Sequence, residues 1–386
     1  MKKKQIYMDY AASTPIDPRV IKTMLPYLKN YFGNSSSLHN FGNKSAEALE
    51  KSREIIAKII SADPREIIFT ASATESNNLA LKGIAFANRE KGRHILISSI
   101  EHDCVLESAG WLQKQGFEIE KIPVDKYGLI DPEVVENMIR KDTILVSVMH
   151  ANNEMGTIEP IEKLGKICRT HNIYFHTDAA QSFGKIPIDV NKMNIDLLTA
   201  SSQKIYGPKG AALLYIRKGT NIEPILHGGG HEFGMRSSTV NIPAIMGFAK
   251  AAEIANEEIK KENERLSKLR DTLIEGIRRS IPKSHLNGHP TKRLSNNVNM
   301  RFDGIEGESI LMLLNAQGVA AATGSACSSQ KLQPSHVLLA LGIKPEEVHG
   351  SLRLSLGRWT TKEDIDYVLR ILPAIIQKLR EISPVN

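Results

Sequence analysis

The sequence predicts an α/β protein: a large domain on a mostly parallel sheet, with a smaller α+β domain toward the C-terminus. Three observations lead there. Between residues about 45 and 250, short apolar runs alternate with helical patterns, as in strand–helix–strand crossovers. One long helical pattern over 241–280 follows, suited to bridging two domains. Beyond it come a strand, a helix, a loop of small residues, a second strand and a closing amphipathic helix.

In chain order, "SAEALEKSREIIAKIISA" places Ala46, Leu49, Ile55, Ile56, Ile59 and Ile60 on one helical face. The runs "EIIFT", "HILISS", "TILVSVM", "IYFHT", "DLLTA" and "GAALLYI" are short and bounded by polar or Gly-rich turns, as buried strands are. In such sheets ligands collect beyond the carboxyl ends of the strands. "NNVNMRF" reads as a strand, 307–317 as a helix, "SLRLSLG" as a strand, and Lys362 to Ile382 as an amphipathic helix.

At 386 residues the chain has room for roughly two or three domains. Its 41% hydrophobic and 24% charged shares match an ordinary globular protein. No apolar run reaches the length of a membrane-spanning helix. "MKKKQIYMDYAAS" begins basic, but Asp9 interrupts it before a signal-peptide core can form, so a cytoplasmic protein with no membrane partner is expected. Cys104, Cys168 and Cys327 are far apart and odd in number, which argues against a disulfide framework and against a metal site. The net charge of +7 resides partly in "EEIKKENERLSKLRDTLIEGIRRS", where mixed signs describe a solvated helix face. No nucleic-acid motif accompanies it, so no nucleic-acid partner is expected.

Two strand ends stand out chemically. "IYFHTDAAQSFG" delivers Asp178 just past an apolar run, and "DLLTASSQKIYGPKG" does the same for Lys204. Alone, the first reads as a helix cap and the second as a solvated lysine. Together they suggest a pyridoxal phosphate pair, a lysine for the Schiff base and an acid holding the ring nitrogen protonated. "FTASATESNNLALKG" offers a helix start after a strand, where small residues and the helix dipole suit a phosphate. The loop "ATGSACSS" has little to bury and reads as mobile, yet it carries Cys327.

"MDYAAST", "ATESNNLALKG", "EHDCVLE", "ANNEMGT", "HTDAAQ", "SSQKIYGPKG", "RSSTVNI", "GSACSS" and "SLRLSLGR" resemble, in order, the motifs of the cysteine desulfurases. These belong to the class V aminotransferase group with the pyridoxal phosphate fold type I, and the likeness runs from about residue 6 to 372. It implies a large cofactor-binding domain over 15–255 with a sheet of the seven-stranded type. A small domain from 1–14 and 256–386 would carry the catalytic cysteine loop. Lys204 would form the Schiff base, Asp178 would pair with the ring nitrogen, and Gln181 would bond the phenolic oxygen. His102 would stack on the ring and move protons. Ala73, Thr74, Ser201 and Gln203 would hold the phosphate, with Thr239 reaching it from a partner subunit of a homodimer. Asn153 would touch cofactor or substrate, and Arg353 would clamp the substrate carboxylate. The Cys327 thiolate would take sulfur from L-cysteine, leaving L-alanine, and pass it to an acceptor such as an iron–sulfur scaffold or a tRNA-thiolating enzyme.

The chain departs from the family pattern at Gln203, where His is common, and at Ser72 and Ser238, where Gly is frequent. The serines raise the question of whether the backbone needs positive φ there. The sequence also stops at "REISPVN", where scaffold-docking members often extend further, so delivery through the Cys327 loop is expected. A selenocysteine lyase shares the same site residues and stays open. An aminotransferase has no use for Cys327, and a non-catalytic scaffold has no need of Lys204, Asp178, His102, Arg353 and Cys327 together.

Overall fold

The computed structural model describes residues 5–324 and 333–382; Cys327 lies outside them. The chain opens with β1 (Ile6–Tyr7), α1 (Pro18–Lys29) and α2 (Asn40–Ile59). Strands and helices then alternate: β2 (Ile67–Thr70), α3 (Ala73–Asn88), β3 (His94–Ser98), α4 (Asp103–Lys114), β4 (Glu118–Ile122), α5 (Pro132–Met138), β5 (Thr143–Ser147), α6 (Ile161–Thr170), β6 (Tyr174–Asp178), β7 (Leu197–Ser201) and β8 (Ala212–Ile216). The long α7 (Ile242–Ser280) follows. The remainder is β9 (Ser284–Leu286), β10 (Asn297–Phe302), α8 (Gly307–Ala316), β11 (Val319–Ala320), α9 (His336–Ala340), α10 (Pro345–Val348), β12 (Ser351–Ser355) and α11 (Lys362–Ile382).

Among the described residues, seven strands form one sheet in the order β2-β8-β7-β6-β5-β3-β4. Only β8 runs against its neighbours, β2 and β7. The carboxyl ends of β2, β3, β5, β6 and β7 therefore share one edge of the sheet. From β3 the chain steps outward to the edge strand β4, then returns to β5 on the other side of β3. That reversal opens a crevice between the ends of β3 and β5, the place where such sheets take ligands.

Strand alternation sends side chains to opposite faces. Leu96, Val146 and Leu198 join one core with Ile56 and Phe248, while Ile95, Ile97 and Leu145 join another with Leu81 and Val105. Both faces are covered, which is why β3 and β5 read as unbroken apolar runs. A further core gathers Ile6, Met8, Met300, Leu354 and Leu372 around the antiparallel sheet β12-β10-β9. The helix α7 serves both ends: Phe248 and Ala252 pack in the first core, Leu273 and Ile277 in that last one.

The structure departs from the sequence expectations at several edges. The helix expected from residue 45 starts at Asn40, where the His39 ring accepts the Gly42 N–H. Strands β1, β4, β9 and β11, not marked by any apolar run above, are present. The helix expected over 307–317 and the closing helix fall where the pattern put them.

Candidate active site

The site is built from strand ends. Beyond β2, Ser72 caps α3, its hydroxyl accepting the Glu75 N–H at 3.2 Å. The first-turn N–H groups of Ala73 and Thr74 have no helical partner, as at any helix start. Ser72 has φ −161°, extended backbone that needs no glycine, whereas Ser238 has φ 149° and does occupy glycine's territory. Glu75, close to this start, is neutralised by Arg236, with Oε1 2.6 Å from the guanidinium.

Beyond β3, His102 is the N-cap of α4, its Nδ1 accepting the Cys104 N–H at 3.2 Å. Beyond β5, Asn153 is buried with its Oδ1 unpartnered among the described residues. At the end of β6, Asp178 accepts the Ala180 N–H through Oδ1 at 2.8 Å and the Asn77 amide through Oδ2 at 2.7 Å. Two donors fix the direction of this carboxylate. Gln181 follows and donates to the Ala11 carbonyl at 2.9 Å.

Beyond β7 a single 3-10 turn carries Gln203 and Lys204. The Lys204 ammonium donates to the carbonyls of Ala11 and Ala12, both at 2.7 Å, so the N-terminal segment roofs the lysine. Gly207 closes the turn because a Cβ there would collide with the Ser202 hydroxyl. Behind it, burial followed by the Lys204 charge pulls Lys185 down to about 7.

Arg353 comes from β12. Considered apart from the family, its alternating strand reads as a surface charge; it is 1% exposed. Nη1 donates to the Asn153 carbonyl at 3.0 Å and Nη2 to Asp9 at 2.9 Å, leaving Nε buried with no partner among the described residues.

Together these residues line one cleft of about 190 Å³: Ala73, Thr74, His102, Asn153, Asp178, Gln181, Ser201, Gln203, Lys204 and Arg353 all face it. Thr239 does not; it is exposed, away from this chain's own cleft. Cys104 also lines the cleft, and burial pushes its thiol up to about 12, which disqualifies it as a ready thiolate. Sequence reasoning missed Asn77 and Asp9. Asn77 was within reach, since it lies four residues after Ala73 and so on the same helix face. Asp9 was not, being 344 residues from its partner Arg353.

The cleft fits pyridoxal phosphate. It offers a lysine amine, a carboxylate fixed by two donors, a helix start for the phosphate, and buried orphans at Asn153 Oδ1 and Arg353 Nε. No helix among the described residues is long and apolar enough to cross a membrane.

Residues 6–368 match the aminotransferase class-V family. The chain is 55% identical to the cysteine desulfurase IscS of Methanosarcina thermophila, over 99% of this chain and 95% of that protein. It is 47% identical to the human cysteine desulfurase, over 99% of this chain and 84% of that protein. A solved NifS-like protein superposes with a TM-score of 0.92 at 37% identity, covering 97% of this chain and 100% of the other. A structure described as SspA in complex with cysteine gives 0.82 at 39% identity, covering 93% and 100%. With a full-length family match laid over a cleft of this composition, the chain belongs to the cysteine desulfurases of the class-V aminotransferase family.

Proposed function

We propose that the chain removes sulfur from L-cysteine in this cleft, giving L-alanine and a persulfide on Cys327. The observation that carries the reading is the convergence of Lys204, Asp178, His102, Asn153 and Arg353 on one cleft at the strand ends. Bound there, pyridoxal phosphate supplies the electron sink that lets the substrate's carbon–sulfur bond break. Lys204 holds the cofactor, Asp178 keeps its ring nitrogen protonated, and Gln181 meets the phenolic oxygen. The start of α3, with Ser201 and Gln203, takes the phosphate. Arg353, oriented by Asp9 and Asn153 and lining the cleft, offers its guanidinium to the substrate carboxylate. His102 moves protons at the substrate carbons. The Cys327 thiolate attacks the substrate sulfur, a new S–S bond forms as C–S breaks, and the carbon takes a proton to become alanine.

The reading extends to a cytoplasmic homodimer in which Thr239 of each chain completes the partner's phosphate site. Exposure of Thr239 supports it. The sulfur acceptor is a protein, of the iron–sulfur scaffold or tRNA-thiolating kind. We divide the chain into a large domain, 15–255, and a small one, 1–14 with 256–386; the separate core holding Ile6, Met8 and Leu273 supports that division.

The test is direct. Purified protein given L-cysteine and a thiol reductant should release alanine and sulfide in equal amounts. Cys327→Ser should keep the visible cofactor absorbance and lose sulfide release. Persulfide found by mass spectrometry on Cys104 or Cys168, with sulfide release intact in that variant, overturns the assignment.

A further inference from the structure

We propose that Asn77 is a positioning residue that orients two groups of the cleft at once: Asp178 directly, and His102 through the Cys104 thiol. This rests on the reading of Asp178 and His102 as groups that face the cofactor ring.

Asn77 is wholly buried on α3. Its side-chain nitrogen lies 2.7 Å from Asp178 Oδ2 and 3.0 Å from Cys104 Sγ. An amide nitrogen carries two hydrogens, one for each contact. The opposite orientation would set the amide oxygen against a carboxylate, so chemistry fixes which end faces Asp178. The sulfur is therefore an acceptor toward Asn77, and the Thr74 hydroxyl bonds to it as well.

The thiol proton then needs a receiver. Burial, reinforced by the Asp178 carboxylate, pushes Cys104 up to about 12, so the sulfur keeps its hydrogen at neutral pH. Sγ lies 3.1 Å from His102 Nδ1. The same Nδ1 accepts the Cys104 backbone N–H at 3.2 Å. Two donors converge on one ring nitrogen, which must be unprotonated to receive them. Neutral His102 therefore carries its hydrogen on Nε2, and Nε2 is left as the nitrogen that trades protons in the cleft.

The bonds run one way: from Asn77 to Asp178 on one arm, and from Asn77 through Cys104 to His102 on the other. A single buried amide thus sets the direction of the carboxylate and reinforces the tautomer of the histidine. An ordinary packing role for Asn77 predicts neither.

The experiment uses holoenzyme labelled with ¹⁵N-histidine, His102 being identified by the signals lost in His102→Gln. The expected spectrum shows His102 Nδ1 unprotonated and Nε2 protonated once the ring is neutral. Cys104→Ala removes the thiol but keeps the backbone N–H and the Asp178 arm. It should shift the His102 Nδ1 signal while leaving the cofactor's visible absorption unchanged, and Cys104→Ser should restore the signal. Asn77→Ala should move both the His102 signal and the absorption maximum. It should also lower kcat about tenfold with KM little changed, the scale on which partners behind a fixed histidine act. Asn77→Ser replaces it if the alanine variant does not fold.

Protonated Nδ1 in the parent protein overturns the proposal. So does an unmoved His102 signal in Cys104→Ala, or an unmoved absorption maximum in the Asn77 variant. Failure of the function itself looks different: no alanine forms from L-cysteine in the parent protein, while the His102 tautomer stands as stated.

Discussion

Lys204 is fixed by two carbonyls of the N-terminal segment, and Lys209 lies in the next turn, two residues past Gly207. Only Lys204 lines the cleft. Lys204→Ala should therefore lose the visible cofactor absorbance on dialysis, and Lys209→Ala should keep it; the reverse result moves the Schiff base to Lys209. Its neighbour Gln203 also faces the cleft, in the place where the family commonly has His. Gln203→His adds partial positive charge beside a phosphate and should tighten cofactor binding, by about 1 kcal/mol if partly buried. A titration of apoenzyme with pyridoxal phosphate reads this, and weaker binding counts against the phosphate role. At this scale the sequence marked Asp178 because it directly follows an apolar run, and Lys204 because it comes a short turn past one. The place of Arg353 in the cleft was legible only through the resemblance, because its burial depends on Asp9 and Asn153, which no local pattern connects to it.

Among the elements, α3 shows how a departure from the family pattern can be benign. Ser72 caps the helix at extended φ, so a side chain there supplies a bond that glycine cannot. Ser72→Ala should cost about 1 kcal/mol, read as a lower urea midpoint. An unchanged midpoint means the cap contributes nothing. The junction of β3 and β5 depends on Glu101, whose Oε1 accepts the Ser98 hydroxyl at 2.7 Å and the Met149 N–H at 2.6 Å. Burial, first among its causes, holds this carboxyl up at about 8 rather than 4.5. Between those values the folded chain keeps a proton that the unfolded chain has released, so this group's contribution to stability falls as pH rises from 4.5 to 8. Glu101→Gln should therefore gain on the parent as pH goes from 5 to 8, in paired urea titrations; a gap independent of pH removes Glu101 from the titration. The core strands were legible because both faces are buried. β4 was not: "EIEKI" is an edge strand with mostly exposed or half-buried side chains, and Glu118 pairs with Arg140 at 2.6 Å. β1 and β11 are two residues each and form only by meeting one another.

For the whole molecule, the apolar surface near α2 matters most. Phe32, Leu38 and Phe41 are 73%, 97% and 56% exposed, and the two Phe rings stack at 5.6 Å. Such a patch on a chain of this size suits an interface between copies. The double change Leu38→Glu with Phe41→Glu should give a monomer in light scattering. A dimer that survives it uses another face.

The N-terminal segment has a consequence in time. Residues 6 and 7 pair with Val319 and Ala320, Asp9 with Arg353, and the Ala11 N–H with the Ser355 hydroxyl at 2.8 Å, while Ala11 and Ala12 cover Lys204. Part of this segment's docking surface is thus made only 344 residues after the segment itself. Contacts of that sequence separation form slowly, because the loop between them must close first. Translation arrested at residue 300 should yield nascent chains whose N-terminus is cut readily by protease and whose Lys204 is open to amine reagents. Both should become protected only once synthesis has passed residue 355, so that the roof over the lysine closes well after the lysine's own strand end is made.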